Sequence, residues 1–265
     1  MKKLLITICG RAGSKGFKNK NLKTFCGQPL VYYSLAAAGL FCKSRPDVQV
    51  DICLNTDSEA LAQLVAQRYP EVAYLPRCED LGGDRVPKMA VIQDSLSRME
   101  QAAGQRYDFV MDLDITSPLR TAEDIQNAFE MAEARQDLEL VYSATESRRN
   151  PYFNMVRRVG DHIAKGIENA PGEGTFTARQ MAPVFYDVNA SIYVYRRDFL
   201  AANTTGIIWD AKTDVSLMMD TGILDIDSEE DFRLMEVIGA HLYAAYPAFA
   251  QVQAAIRGPI NTVGE

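Results

Sequence analysis

The sequence predicts a three-layer α/β/α fold on a mainly parallel sheet, and two observations lead there. Short apolar, β-rich runs alternate with stretches whose apolar residues recur every three to four positions, the pattern of strands and amphipathic helices taken in turn. The chain also has 265 residues, 47% of them hydrophobic, enough to cover both faces of a sheet. Such alternation gives right-handed crossovers and gathers ligands at the carboxyl ends of the strands.

Strands are expected at 4–9, 49–55, 71–75, 108–115, 139–145 and 189–195, and helices at 29–42, 58–69, 87–103, 121–135 and 228–243. Pro29 suits a first helical turn, where its missing N–H is not needed. Thr121-Ala122-Glu123-Asp124 sets a capping hydroxyl ahead of acids that favour a helix N-terminus. Between 146 and 188 the periodicity fails, because Gly160, Gly166, Pro171, Gly172, Gly174 and Pro183 interrupt short β-like pieces. Tyr152, Phe153, Met155, Val156, Ile163, Ile167 and Phe176 are too many apolar side chains for a disordered tail. That stretch reads as a lid, a small subdomain or a dimerisation arm. The chain thus divides into a main domain of 1–145 and 189–245, an inserted arm at 146–188 and a C-terminal tail at 246–265.

Charge and composition exclude several classes. A net charge of −7, with no basic stripe outside the first loop, argues against a nucleic-acid partner. No run of 18 apolar residues occurs, and the apolar run after Met1-Lys2-Lys3 is too short for a signal peptide, so a cytoplasmic protein without membrane contact is expected. Cys9, Cys26, Cys42, Cys53 and Cys78 are odd in number and lack C-x-x-C spacing, which reads as small buried hydrophobes rather than disulfide or metal chemistry.

The first strand empties into Gly10-Arg11-Ala12-Gly13-Ser14-Lys15-Gly16-Phe17-Lys18-Asn19-Lys20-Asn21. Glycines let backbone N–H groups approach oxyanions and the cations neutralise them, so this segment reads as a triphosphate cradle. A P-loop is excluded because Phe17-Lys18 follows Gly16, and a dinucleotide fingerprint because Gly10, Gly13 and Gly16 are evenly three apart. A solvated basic loop is the alternative, above all for Lys18 and Lys20. Late in the chain Asp225 and Asp227 flank Ile226, so an extended backbone puts both carboxylates on one face. Their repulsion calls for a cation such as phosphate-bound Mg²⁺, unless Asp227 merely caps the helix that follows. Asp112 and Asp114 pose the same question, with Asp114 the favoured ligand. Arg120 suits an anion or a clamp on Glu123 or Asp124 equally well. Asn189 suits hydroxyl or base recognition, and Arg179 beside Gln180 suits a carboxylate or phosphate. Arg148, Arg149 and Asn154 offer guanidinium and amide groups that suit a carboxylate and hydroxyls. His162 and His241 fall outside these motifs, so no histidine base is expected, and Trp209 reads as packing.

Arg11 to Gly16 with Lys20-Asn21 resembles the A-R-x-x-S-K-G-x-x-x-K-N opening of sugar nucleotidyltransferases, and more narrowly of cytidylyltransferases that activate 3-deoxy-2-keto acid sugars. Leu113 to Arg120 resembles the L-Q-P-T-S-P-L-R of CMP-sialic acid synthetases, and Asp225-Ile226-Asp227 their D-I-D. Between these, Asn55-Thr56-Asp57 resembles S-T-D, Arg77 to Asp84 resembles R-P-x-x-L-A-x-D, Arg179-Gln180 resembles R-Q, and Asn189 to Tyr193 resembles N-G-A-I-Y. The resemblance implies a Rossmann-like nucleotidyltransferase sheet and transfer of CMP from CTP to the anomeric hydroxyl of a nine-carbon nonulosonic acid, with pyrophosphate released. It implies Mg²⁺ and a homodimer whose arm helps to complete the neighbouring site. It places Arg11, Lys15 and Lys20 on the triphosphate, with Gly13, Ser14, Asn21, Arg77 and Asp84 around the nucleotide. Asp114, Arg120, Asn154, Arg179, Gln180 and Asn189 fall to the sugar, and Asp225, Asp227 and Asp114 to the metal. Two departures stand out: Asp114-Ile115 replaces Gln-Pro, as an acid does in CMP-Kdo synthetases, and Arg149-Asn150-Pro151-Tyr152-Phe153 lacks the Lys of H-H-P-x-K. Alternatives are a CMP-Kdo synthetase, another NDP-sugar pyrophosphorylase, or an inactive nucleotide-binding scaffold, against which the intact Arg11, Lys15, Asp225 and Asp227 weigh.

Overall fold

In the order of the chain, the elements are β1 (Lys2–Gly10), a small hairpin of β2 (Thr24–Phe25) and β3 (Gln28–Pro29), α1 (Leu30–Ser44), β4 (Val48–Thr56), α2 (Glu59–Arg68), β5 (Ala73–Pro76) and α3 (Lys88–Ala103). They continue with β6 (Phe109–Leu113), α4 (Ala122–Ala134), β7 (Leu140–Glu146), a hairpin of β8 (Val156–Val159) and β9 (His162–Lys165), β10 (Tyr186–Arg196), α5 (Arg197–Ala202), β11 (Thr213–Leu217), α6 (Glu229–Ala245) and α7 (Pro247–Ala255). The computed structural model describes residues 1–13, 16–83, 86–168, 176, 179–222 and 225–256, with the Arg179 side chain outside that set.

A seven-stranded sheet has the order β11-β7-β10-β6-β1-β4-β5. All neighbours pair in parallel except β10, which runs antiparallel to both β6 and β7. Because β7 and β10 are antiparallel neighbours, the excursion between them is an enlarged hairpin loop. It springs from the edge where β1, β4 and β6 end, the edge at which parallel sheets present their ligand sites.

Alternation along the strands builds two cores. Leu4, Ile6 and Ile8 of β1 face α1, α4 and α7, whereas Leu5 joins Val110 of β6 and Met89, Ile92 and Leu96 of α3 on the other face. Local capping fixes the helix starts. Ser58 accepts from Leu61 N at 3.3 Å, and Thr121 and Ser228 form capping boxes with Asp124 and Asp231.

Every expected strand and helix forms, with ends shifted by a few residues. Besides the two-residue strands β2 and β3, three elements lacked a sequence signal. Edge strand β11 is short and polar, α5 is a six-residue turn of helix, and α7 occupies the stretch expected to be a tail. Helix α7 buries Phe249 and Val252 against α1 and α6, so the domain boundary at 245 falls inside the core. In the excursion, β8 and β9 turn through Gly160 at φ +60°, the left-handed conformation that a two-residue hairpin turn requires.

Candidate active site

The site is assembled where β1, β4 and β6 end. At Gly10 a Cβ would come within 2.7 Å of the Leu61 side-chain tip and 2.9 Å of that of Ile115, so the end of β1 packs closely under both side chains. A Cβ on Gly16 would meet the backbone oxygen of Asp227 at 2.6 Å, which lays the glycine loop directly on the D-I-D segment. Lys20 ties the two together: its Nζ donates to Ile226 O at 2.6 Å and to Asp227 Oδ1 at 3.1 Å. Ile226 itself is fully buried and donates its N–H to Thr116 O at 3.0 Å, pinning D-I-D to the T-S-P loop.

The cap of α6 is Ser228, and the Asp227 side chain is 77% exposed. Asp227 is therefore not the ordinary helix cap that its position permitted.

A cleft of about 310 Å³ lies beside this junction, lined among others by Arg11, Lys20, Asn21, Arg77, Lys88 and Asp114. Asn21 donates from Nδ2 to Arg11 O at 3.2 Å and so fixes the loop's backbone. Arg77 is held in place by Asn55, donating from Nε to Oδ1 at 3.0 Å and from Nη2 to the carbonyl at 2.9 Å. Asp57 accepts from Ala12 N at 2.7 Å, holding an amide of the cradle with an acid at the end of β4. Gly13 has open space where a Cβ would be. Ser14, Lys15 and Asp84 lie outside the described residues.

Lys88 had no signal in the sequence, because the first residue of an ordinary amphipathic helix looks unremarkable. Its Nζ stands 2.6 Å from Asp112 Oδ2 and 2.6 Å from Asp114 Oδ2. Asp112 is completely buried and also accepts from Thr7 Oγ1 at 2.8 Å. Asp114 Oδ1 accepts from the N and Oγ1 of Thr116, each at 2.8 Å. Burial pushes the Asp114 carboxyl up, but the Lys88 ammonium and the Thr116 donors outweigh it and bring the group down to about 2. For Lys88, burial acts downward and is likewise outweighed by the two acids, which hold the ammonium well above its usual range.

Asp225 is in the opposite condition. Burial first, then Asp227 and Asp114, push its carboxyl up, and Lys20 opposes them. Among the described residues no hydrogen bond or ion pair reaches its carboxylate, and no three acids or imidazoles are gathered around one point. Asp225, together with Asp227 and its one cation Lys20, could supply hard oxygen donors of the kind that Mg²⁺ takes.

Several residues expected to meet the sugar do not line this cleft. Arg120 is neither an anion ligand nor a clamp on Glu123 or Asp124. It is fully buried, and donates to Ser191 O at 2.5 Å, Ser191 Oγ at 3.0 Å, Ser34 Oγ at 2.5 Å and Asp114 O at 2.6 Å. It is a strut between β10, α1 and the end of β6, while Asp124 is occupied in its capping box. Asn189 is buried too, its Oδ1 accepting from Ser143 Oγ at 2.5 Å, in a bulge of β10 that shifts the pairing with β7. It borders a small cavity with Ser117, Met218 and Thr221, apart from the nucleotide cleft. Asn154 closes a turn by accepting from Asn150 N at 2.7 Å, and Gln180 lines a separate hollow with Arg149 and Asn150. Arg148 pairs with Asp220. Trp209 is not core: it is 67% exposed, with its ring edge-on to Tyr142.

Comparison with known proteins agrees with this geometry. The profile of a family described as Cytidylyltransferase matches residues 5–241. The chain is 35% identical over 238 residues to the post-translational flagellin modification protein B of Campylobacter coli, covering 90% of this chain and 95% of that one. It is 36% identical, with the same coverage, to the CMP-N,N'-diacetyllegionaminic acid synthase of Campylobacter jejuni. A CMP:2-keto-3-deoxy-manno-octonic acid synthetase solved with CTP superposes at a TM-score of 0.62 over 91% of this chain and 99% of that one; at 13% identity this is a likeness of fold. The chain belongs to the cytidylyltransferase family, and within it to the nonulosonate cytidylyltransferases.

Proposed function

We propose that this chain transfers CMP from CTP to the anomeric hydroxyl of a nine-carbon nonulosonic acid of the legionaminate type, releasing pyrophosphate. One observation carries the reading: the glycine loop meets Asp225-Ile226-Asp227 beside a cleft lined by Arg11, Lys20 and Arg77. Cations on one wall and paired acids beside them are what a triphosphate bridged to a divalent ion requires. The similarity to a legionaminate-activating relative supports the acceptor class. The octonic acid synthetase shares the fold alone, and the cleft's Arg11, Lys20, Arg77 and Asp114, with Asp225 and Asp227 nearby, speak against an inert scaffold.

Mg²⁺ held by Asp225 and Asp227 would neutralise charge developing on the phosphate oxygens. Arg11 and Lys20 hold the triphosphate and orient its α-phosphorus. Arg77, fixed on Asn55, presents a guanidinium that needs no reordering when the nucleotide arrives. His162 stands in the β8–β9 hairpin and His241 packs against Tyr246, both away from the cleft.

The chain works as a homodimer through the arm at 146–188, a reading supported by the exposed Val156, Ile163, Met181 and Val184. No helix among the described residues is long and apolar enough to cross a membrane, and CTP as donor supports a cytoplasmic location.

Pyrophosphate release measured across CTP, ATP, GTP and UTP with legionaminate, neuraminate, pseudaminate and Kdo tests the reaction. Preference for CTP with a nine-carbon acid is expected, and turnover of Kdo alone would refute it. For the arm, light scattering should give a dimer. Mixing an inactive Arg179→Ala chain with an inactive Arg11→Ala chain should recover about a quarter of wild-type activity if Arg179 serves the neighbouring site. Full subunit exchange with no recovery would show that Arg179 serves its own.

A further inference from the structure

Three of the four carboxylate oxygens of Asp112 and Asp114 accept hydrogen bonds, and the fourth, Asp112 Oδ2, is buried with the Lys88 ammonium as its one ion-pair partner among the described residues. Asp112 Oδ1 accepts from Thr7 and Oδ2 faces the Lys88 ammonium, while Asp114 Oδ1 accepts twice from Thr116 and Oδ2 faces the same ammonium. Lys88 is also in an unfavourable local position. It is the first residue of the 16-residue helix α3, whose first turn has no acid, so its charge sits at the positive end of the helix dipole. Nothing in the helix itself compensates it; the two acids across the cleft floor do. A residue that breaks a local rule and is repaid only at a ligand cleft marks a functional position.

We propose that Lys88 is a resident cation standing where a second divalent ion would otherwise neutralise the acids of β6, so that the active site holds one divalent ion, at Asp225 and Asp227. Lys88 is thus a positioning residue: it holds Asp114 against Thr116 and withdraws it from metal ligation. Mg²⁺ demands oxygens about 2.0–2.1 Å away in near-octahedral array, and a carboxylate already fixed by three donors cannot turn its lone pairs to meet that demand. Asp225, which no hydrogen bond or ion pair reaches among the described residues, can.

This inference rests on the Mg²⁺ reading above, and the test separates the two. Bound Mn²⁺ is counted by electron paramagnetic resonance on the full chain saturated with the non-hydrolysable analogue α,β-methylene-CTP. Wild type is expected to hold one ion per chain, and Asp114→Asn, which keeps the Thr116 contacts, should hold one ion with affinity within twofold. Lys88→Gln should expose the acids and bind a second. Two ions in wild type, at least a tenfold loss of affinity in Asp114→Asn, or a folded Lys88→Gln chain with one ion would overturn the role of Lys88. If Lys88→Gln does not fold, the wild-type count and Asp114→Asn decide. An ion that survives both Asp225→Asn and Asp227→Asn would overturn the D-I-D metal site itself, and with it this inference.

Discussion

Gly16 and Asp227 touch so closely that a Cβ on the glycine would lie 2.6 Å from the aspartate's backbone oxygen. The obstruction is backbone rather than the end of a flexible side chain, so it can be relieved only by moving the loop or the D-I-D segment. Gly16→Ala should therefore separate the glycine loop from the D-I-D acids by a fraction of an ångström to an ångström. A rate loss on the order of ten- to a hundredfold is expected, with little change in melting temperature because the loop is at the surface. Pyrophosphate release and a thermal melt measure both; activity within twofold of wild type would show that the contact does not align the site.

Arg120 should matter to stability far more than to substrate affinity. Arg120→Met removes a charged donor from Ser191, Ser34 and Asp114 and leaves buried acceptors unpaired, a loss of about 3 kcal/mol or more. A urea melt should show that loss, while KM for CTP and for the sugar acid in the folded fraction stays within threefold. A large KM effect with unchanged stability would return Arg120 to the list of ligands.

Acid should destabilise the protein through Asp114. Its folded value of about 2 lies below the ordinary 3.8, so the stabilisation is present above about pH 4 and is lost as pH falls towards 2. The contribution is on the order of 2 kcal/mol. Asp225 works in the opposite sense: its raised value means that ionisation costs stability as pH rises through and above 3.8. Urea midpoints between pH 2 and 5 should flatten in Asp114→Asn, and the midpoint gained on adding Mg²⁺ should grow with pH over the range where Asp225 ionises. An unchanged slope in Asp114→Asn would show that Lys88 does not stabilise the ionised acid.

Ala190 adopts φ +53° in the β10 bulge, where the resembled N-G-A-I-Y motif has glycine. Ala190→Gly relieves that strain at some cost in chain entropy, leaving a net gain of about 0.5–1 kcal/mol. Chemical denaturation measures it; a destabilised variant would mean that the alanine methyl contributes more by packing than it costs in strain.

Much of the architecture is legible in local sequence. The β-rich runs and helical periods located the strands and helices they announced, Thr121 and its acids capped α4, and the Gly10–Asn21 segment and D-I-D, marked by their charges in sequence, meet in the fold. Helix α7 was missed because a short Ala-rich stretch becomes a helix only when α1 and α6 bury its Phe249 and Val252.

What the sequence by itself determined is the menu of elements and the chemical character of each loop, because backbone preference and hydrophobic period act over a few residues. Tertiary structure alone decided the partners. Lys20 reaches residues 206 and 207 positions away, Lys88 answers two acids at and just beyond the end of β6, and Arg120, an arginine like any other in the sequence, is walled in as a strut. Charge pairing and burial depend on distance in space, which chain folding sets and local sequence does not encode.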